Sequence, residues 1–232
     1  MKKIILSLLT LALLSNCVST KLVPLPADFS SVKNKTILAQ VGEKPGFADI
    51  TFSQMLSSEL LTGGLLGPAI MIHSGNKIIE ENEVEDPASL ILANLSKDLE
   101  KNYDSTIINL GVGDKKEESL SKEYPNANYL LDVKTVNWTI SYLPVMVNKF
   151  RLIYSTKLTL TDIKTSQIVA EGFCSRIPPI KNSFPTHDQL LANKAQLLKN
   201  ELTKSADDCS KVLREAVLNL PTKQTVAAVG AN

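Results

Sequence analysis

The chain reads as an α+β domain: a mixed sheet ending in a three-stranded antiparallel meander, packed by helices that include a long C-terminal one. Three observations predict this. Residues 127–176 hold three stretches of alternating apolar and polar residues, the period of a half-buried strand. Residues 86–103 and 188–220 place apolar residues at steps of three and four, the period of a helix with one buried face. Short apolar runs at 35–41 and 105–111 each end at glycine, as single strands do.

The elements follow in order. "KTILAQV" is a first strand before Gly42, and "SQMLSSELL" is a helix with Ser53 as its N-cap. Residues 60–76, "LLTGGLLGPAIMIHSGN", have His73 as their single titratable side chain. Gly63, Gly64, Gly67 and Pro68 would break a membrane-spanning helix near its middle. Pro68 suits the first position of a new helix, and "PAIMIHSGNKIIEENEV" continues it. Met71, Gly75 and Ile78 then share a face on which Ser74 and Gly75 admit a close neighbour. Core packing is the first reading of this segment, and membrane or partner contact the second.

"DPASLILANLSKDLEKNY" has the clearest helix start: Asp86 caps, Pro87 opens the first turn, and Ile91, Leu95 and Leu99 recur at i, i+4 and i+8. "STIINLG" is a strand, and residues 115–124 form a short polar helix. "ANYLLDVKTVNWTISY" alternates but slips phase at Thr135–Val136, which predicts a β-bulge. "KFRLIYSTKLTLTD" and "QIVAEGFCSR" complete the meander, and the prolines of "IPPIKNSFP" end it. The last helix, about Asp188 to Leu220, buries Leu191, Ala195, Leu198, Leu202, Ala206, Cys209, Leu213, Ala216 and Leu220. Cys209 on that stripe and Cys174 on the third meander strand make a candidate disulfide. Two buried free thiols are the alternative.

The first 17 residues carry the address. Lys2 and Lys3 precede an apolar stretch, Ile4 to Leu14, too short for the roughly 20 residues of a spanning helix. Leu14-Ser15-Asn16-Cys17 resembles the lipobox of bacterial lipoproteins, although Asn16 stands where Gly or Ala is usual. The resemblance implies cleavage before Cys17 and palmitate-type acylation of that residue. Acyl chains contribute roughly 0.8 kcal/mol per buried CH₂, so two or three make a firm membrane anchor. Val18 after the cysteine resembles an outer-membrane sorting pattern, which implies a bacterial envelope protein facing the periplasm. Plain secretion with a chance cysteine is the alternative. The organisation expected is signal peptide 1–16, lipidated Cys17 and tether 17–34, one periplasmic domain 35–220, and a flexible tail 221–232.

Without residues 1–16 the chain has 23 basic against 24 acidic residues, since only Lys2 and Lys3 are lost, and its net charge is −1. That balance argues against nucleic acid as a partner. No cofactor fingerprint or metal set is found. "GVGD" is half a dinucleotide motif, and "GGLLGP" lacks the Lys-Ser/Thr of a phosphate loop. Glu80, Glu81, Glu83, Glu85 and Asp86 lack the frame of a calcium loop. His73 and His187 are the chain's two histidines, and no Gly-x-Ser-x-Gly elbow accompanies them. His187 is expected at the surface near a helix start and His73 as a buried polar residue. No catalytic residue is assigned, and an enzyme is not expected.

The remaining candidates are surfaces. The tip "SYLPVMVN" offers Tyr142, Leu143, Val145, Met146 and Val147, which is too apolar for a solvated hairpin loop. It either folds back on the core or meets a partner or membrane. The element order is similar to that of the curli-secretion pore lipoprotein, the lipoprotein activators of penicillin-binding proteins, and the N-terminal domain of the Tol-system propeller protein. The stretch "VNWTISYLP…FRLIYSTKLTLTD…IVAEGFCSR" also looks like a set of uncharacterised proteobacterial lipoproteins. These resemblances imply an accessory or assembly factor that binds another envelope protein or itself. The alternatives are an oligomeric secretion or pore component that inserts or docks through 141–148 and 60–76, and an envelope hydrolase.

Overall fold

The structure, a computed structural model, describes residues 21–26, 32–62, 65–180 and 183–220, with the side chains of 61 and 62 excepted. The expectations for the signal segment 1–16, for Cys17 and for the tail 221–232 lie outside the described residues.

The class is as predicted. Strands β1 (Thr36–Val41), β2 (Ala48–Ile50), β3 (Thr106–Val112), β4 (Tyr129–Leu143), β5 (Met146–Asp162) and β6 (Ile168–Arg176) form one mixed sheet. Helices α1 (Phe52–Thr62), α2 (Gly67–Glu81), α3 (Pro87–Tyr103), α4 (Glu117–Glu123) and α5 (His187–Ala216) pack around it. The strand order is β3-β1-β4-β5-β6, and β2 pairs with β4 beyond the end of β1. β1 runs parallel to β3 and β4, β2 runs parallel to β4, and β4, β5 and β6 form the antiparallel meander.

Local chemistry explains several starts and turns. The Asp86 carboxylate accepts from the Ala88 N–H at 3.0 Å and caps α3, with Pro87 behind it. The register of β4 on β5 shifts between Thr135 and Asn137, so Val136 is the extra residue of the expected bulge. The cap of α1 is Thr51 rather than Ser53. Its hydroxyl accepts from the Gln54 N–H and its own N–H donates to the Gln54 side chain, a reciprocal box. Thr186 and Gln189 make the same box at the start of α5.

The main core lies between one sheet face and α3 and α5. Phe150, Leu152, Tyr154, Leu158 and Leu160 of β5 point into it, beside Leu198, Leu202, Ala206 and Leu213 of α5. A smaller core of Leu38, Leu120, Ala127, Leu130 and Ile163 sits with α4 on the other face. Cys174 and Cys209 are bonded, with Cα atoms 5.5 Å apart.

Three expectations change. The last helix is not continuous: Ala192 is extended and Asn193, Lys194 and Ala195 take left-handed angles, so a short helical start precedes the main rod. It also ends at Ala216, which is exposed, rather than at Leu220. The segment expected as a tether is partly docked. Val23 and Glu171 exchange backbone hydrogen bonds at 2.8 Å, and the Leu25 N–H donates to the Val217 carbonyl at 2.7 Å. Leu25 and Val32 are fully buried, so this stretch belongs to the domain.

Candidate functional site

Helices α1 and α2 form a hairpin that joins the main core through Ile78 and Ile79 at the end of α2. Their inner seam is polar and tight. Gln54 Nε2 donates to Ser74 Oγ at 2.8 Å, and a Cβ on Gly67 would stand 2.9 Å from the buried Ser58 hydroxyl. α2 is seated on the sheet through Gly75, whose face meets the backbone of Phe47, and Asn76 Oδ1 accepts from the Phe47 N–H at 2.9 Å. Phe47 itself packs edge-on against Trp138, and the Trp138 indole N–H donates to the Pro45 carbonyl.

The hairpin exposes many large apolar side chains, though not all on one side: Ile70 and Ile72 point apart on α2, and Ile72 lies over Gly46. Leu60 is 83% exposed and Leu65 86%, and Phe52, Met55, Leu56, Leu66, Ile70 and Ile72 are exposed as well. Isolated exposed leucines are ordinary, but eight large apolar residues on one helical hairpin are not. Covering a leucine of this kind is worth about 1.5–3 kcal/mol.

The hairpin leans on the tip of the meander. Phe52 packs edge-on against Tyr142 at 5.7 Å between ring centroids, and the Tyr142 hydroxyl donates to Met55 Sδ at 3.2 Å. The tip residues therefore divide. Tyr142 and Leu143 are buried and offer no surface, which corrects their place among the candidate contacts. Met146 is half-buried, while Val145 is 76% and Val147 51% exposed at the turn. Tyr142 thus joins the meander tip to the start of α1.

Phe52, Met55 and Leu56 of α1 were not singled out from the sequence, and with Leu60 of the 60–76 segment they make one row. Their spacing of i, i+3, i+4 and i+8 marks a stripe, but a stripe does not say whether it faces the core or water. His73 is exposed on α2 and not buried.

His187 differs from expectation too. It is half-buried, and its Nε2 lies 3.0 Å from the buried Asp49 Oδ1. The hydrogen bond to Asp49 raises its pKa, against the opposing effect of burial. Phe150 packs edge-on against its ring. The pair joins the start of α5 to β2. Among the described residues no hydroxyl or thiol is hydrogen-bonded to the other ring nitrogen.

A second polar cluster lies on the α4 face of the sheet. Asp132 of β4 stands beside Gln40 of β1 in register, and Gln40 Nε2 donates to the Lys115 carbonyl at 3.2 Å. Burial, and then the charge of Asp114, push the Asp132 carboxyl up to about 6. Asp132 Oδ1 and Gln40 Oε1 are both buried without a partner. Among the described residues no group of three or more His, Cys, Asp or Glu is placed to hold a metal ion, and no helix is long and apolar enough to cross a membrane.

No family profile and no curated protein matches the chain. Solved structures similar to it include lipoprotein GNA1162 from Neisseria meningitidis, at 16% identity over 73% of this chain and 99% of that one, with a TM-score of 0.27. The PelC dodecamer from Paraburkholderia phytofirmans is 12% identical over 80% of this chain and 91% of that one, with a TM-score of 0.32. The LpoB C-terminal domain from Salmonella enterica is 10% identical over 64% and 87%, with a TM-score of 0.26. Bacterial lipoproteins are thus among the structures this chain is similar to, and likenesses this distant say nothing of its activity.

Proposed function

We propose that the protein is a lipid-anchored accessory or assembly factor of the bacterial envelope, without catalysis, that docks through the apolar stripe of the α1–α2 hairpin onto another envelope protein or a second copy of itself. The observation that supports the reading is the set of exposed apolar residues Phe52, Met55, Leu56 and Leu60 on one stripe of α1, with Leu65 and Leu66 beyond it, beside the meander tip that Phe52 meets through Tyr142. The anchor rests on Cys17 and its lipobox-like context, and the outer-membrane location on Val18. An apolar face of this kind is stable in water only while it is small or covered.

The test is crosslinking in intact cells that make the full chain. A photoreactive residue at Leu60, Leu65 or Val145 is expected to trap a partner or a second copy, while one at the exposed Lys122 on α4 is not. Free monomer alone at all three positions would remove the reading. An oligomeric secretion or pore component using the same face and the turn at 144–145 is the second reading. Ring-shaped particles of the full chain in detergent would favour it over a one-to-one accessory complex.

A further inference from the structure

One edge of the sheet is bare. β3 pairs with β1 on one side and, among the described residues, with no strand on the other. None of its residues is buried, whereas β1 beside it is buried from Ile37 to Val41. The Thr106 N–H donates to the Lys35 carbonyl at 2.9 Å, so the alternation of a strand turns the N–H and C=O of Ile107 and Asn109 away from β1. Beyond Asn109 the register shifts, and the Gly111 N–H is taken by Asn109 Oδ1 at 2.8 Å. Proteins guard such edges with charge, proline or a cover, and "TIINLGV" has neither charge nor proline.

The strand is also the rim of the smaller core. Ile108 and Leu110 are half-buried and pack against the cluster of Leu38, Leu120 and Leu130. On the α3 face, Ile107 and Asn109 line a cavity of about 180 Å³ with Ser89, Ala93 and Ser96 of α3. Both faces of the edge therefore leave apolar surface half covered.

We propose that the bare edge of β3 pairs antiparallel with β3 of a second copy, about a two-fold axis at Ile108, and joins the two sheets into one. That register sets the outward-facing Ile107 opposite the outward-facing Asn109 of the copy, so both exchange main-chain hydrogen bonds. A register centred on Asn109 would need the Gly111 N–H, which is already engaged. Ile108 meets the copy's Ile108 on the α4 face, between Thr106 and Leu110, and the two small cores become continuous. The copy's Ile107, opposite Asn109, falls beside the α3 cavity. No like charges oppose each other, since Thr106 to Leu110 are all uncharged. A two-fold contact needs a patch complementary to itself, and an uncharged strand with an apolar centre supplies one, which favours a second copy over an unrelated strand. The inference uses none of the α1–α2 residues and does not rest on that docking surface.

The experiment is sedimentation of the full chain in maltoside micelles over a range of concentrations, with disulfide trapping under mild oxidation. A concentration-dependent dimer is expected. Ile108→Cys is expected to trap it, because facing residues at such an axis lie about 4.5 Å apart at Cα, within disulfide reach. Val112→Cys, exposed on β3 but past the paired stretch, should trap no more than the parent. Asn109→Pro removes an N–H that β1 does not use, and is expected to weaken the dimer roughly tenfold or more, since the symmetry loses a ladder bond in each copy. If Asn109→Pro does not melt like the parent, the trapping comparison decides alone. Leu60→Ser on the α1 stripe should leave the dimer as it is. Monomer at every concentration, or trapping no greater at 108 than at 112, would overturn the proposal. So would a dimer lost with Leu60→Ser and kept with Asn109→Pro, which would assign self-association to α1 instead.

Discussion

The Gly75 backbone meets the Phe47 carbonyl so closely that a Cβ on Gly75 would stand 2.1 Å from that oxygen. Real side chains do not tolerate such an approach, and the obstacle is backbone. Gly75→Ala is therefore expected to lift α2 from β2 and to destabilise the domain by about 1–3 kcal/mol, the usual range for overpacking. Urea unfolding measures it. An unchanged midpoint would mean that α2 is not seated as described.

The Cys174–Cys209 bond joins β6 to α5 across 35 residues of sequence. Closing a loop of that length contributes about 3–4 kcal/mol when chain entropy dominates. The double replacement Cys174→Ala, Cys209→Ala is expected to lose that much and to become indifferent to reductant. The parent should fall to nearly the same stability when reduced. A parent whose thermal midpoint ignores dithiothreitol would contradict the bond's contribution.

Asp132 ties stability to acidity. Its carboxyl is pushed up from 3.8 to about 6, so between those values the folded chain holds a proton that the unfolded chain has released. Stability from this group is fully present below the unfolded pKa and is lost as pH rises through the folded one. Two units correspond to at most about 3 kcal/mol. Asp132→Asn is expected to be the more stable form at pH 7–8 and the equal of the parent near pH 4. Unfolding midpoints across that range decide it, and parallel curves for the two proteins would refute the burial of a charged Asp132.

Much of the architecture was legible because local chemistry and packing agree. Asp86 and Pro87 announced the start of α3, the phase slip announced the bulge at Val136, and the two periods placed Cys174 and Cys209 on facing surfaces. The misses have physical reasons. β2 is three residues long, too short to show a period. The break in α5 rests on Asn193, Lys194 and Ala195 at positive φ. Of these only the asparagine takes that geometry readily, and left-handed turns otherwise cost about 1–2 kcal/mol per residue. Tertiary packing holds the break, since Leu190, Ala195 and Leu198 are all buried around it. The apolar stripe of α1 was visible in the sequence, but its direction depends on where Tyr142 lies in space, and no local signal carries that. Residues 21–26 looked like linker because Pro24 and Pro26 break any period, yet one bridge to Glu171 and the burial of Leu25 are enough to fix them.

On the proposed acylation of Cys17, the pairing of Val23 with Glu171 would limit how far the domain could stray from a membrane. From Cys17 to Lys21 the chain could span at most about 14 Å at full extension. A chain loose to residue 34 would have let the body roam several diameters of a lipid headgroup layer and tumble. Moored this short, it would ride close against the bilayer with few orientations open to it, so whatever it meets must itself come to that surface.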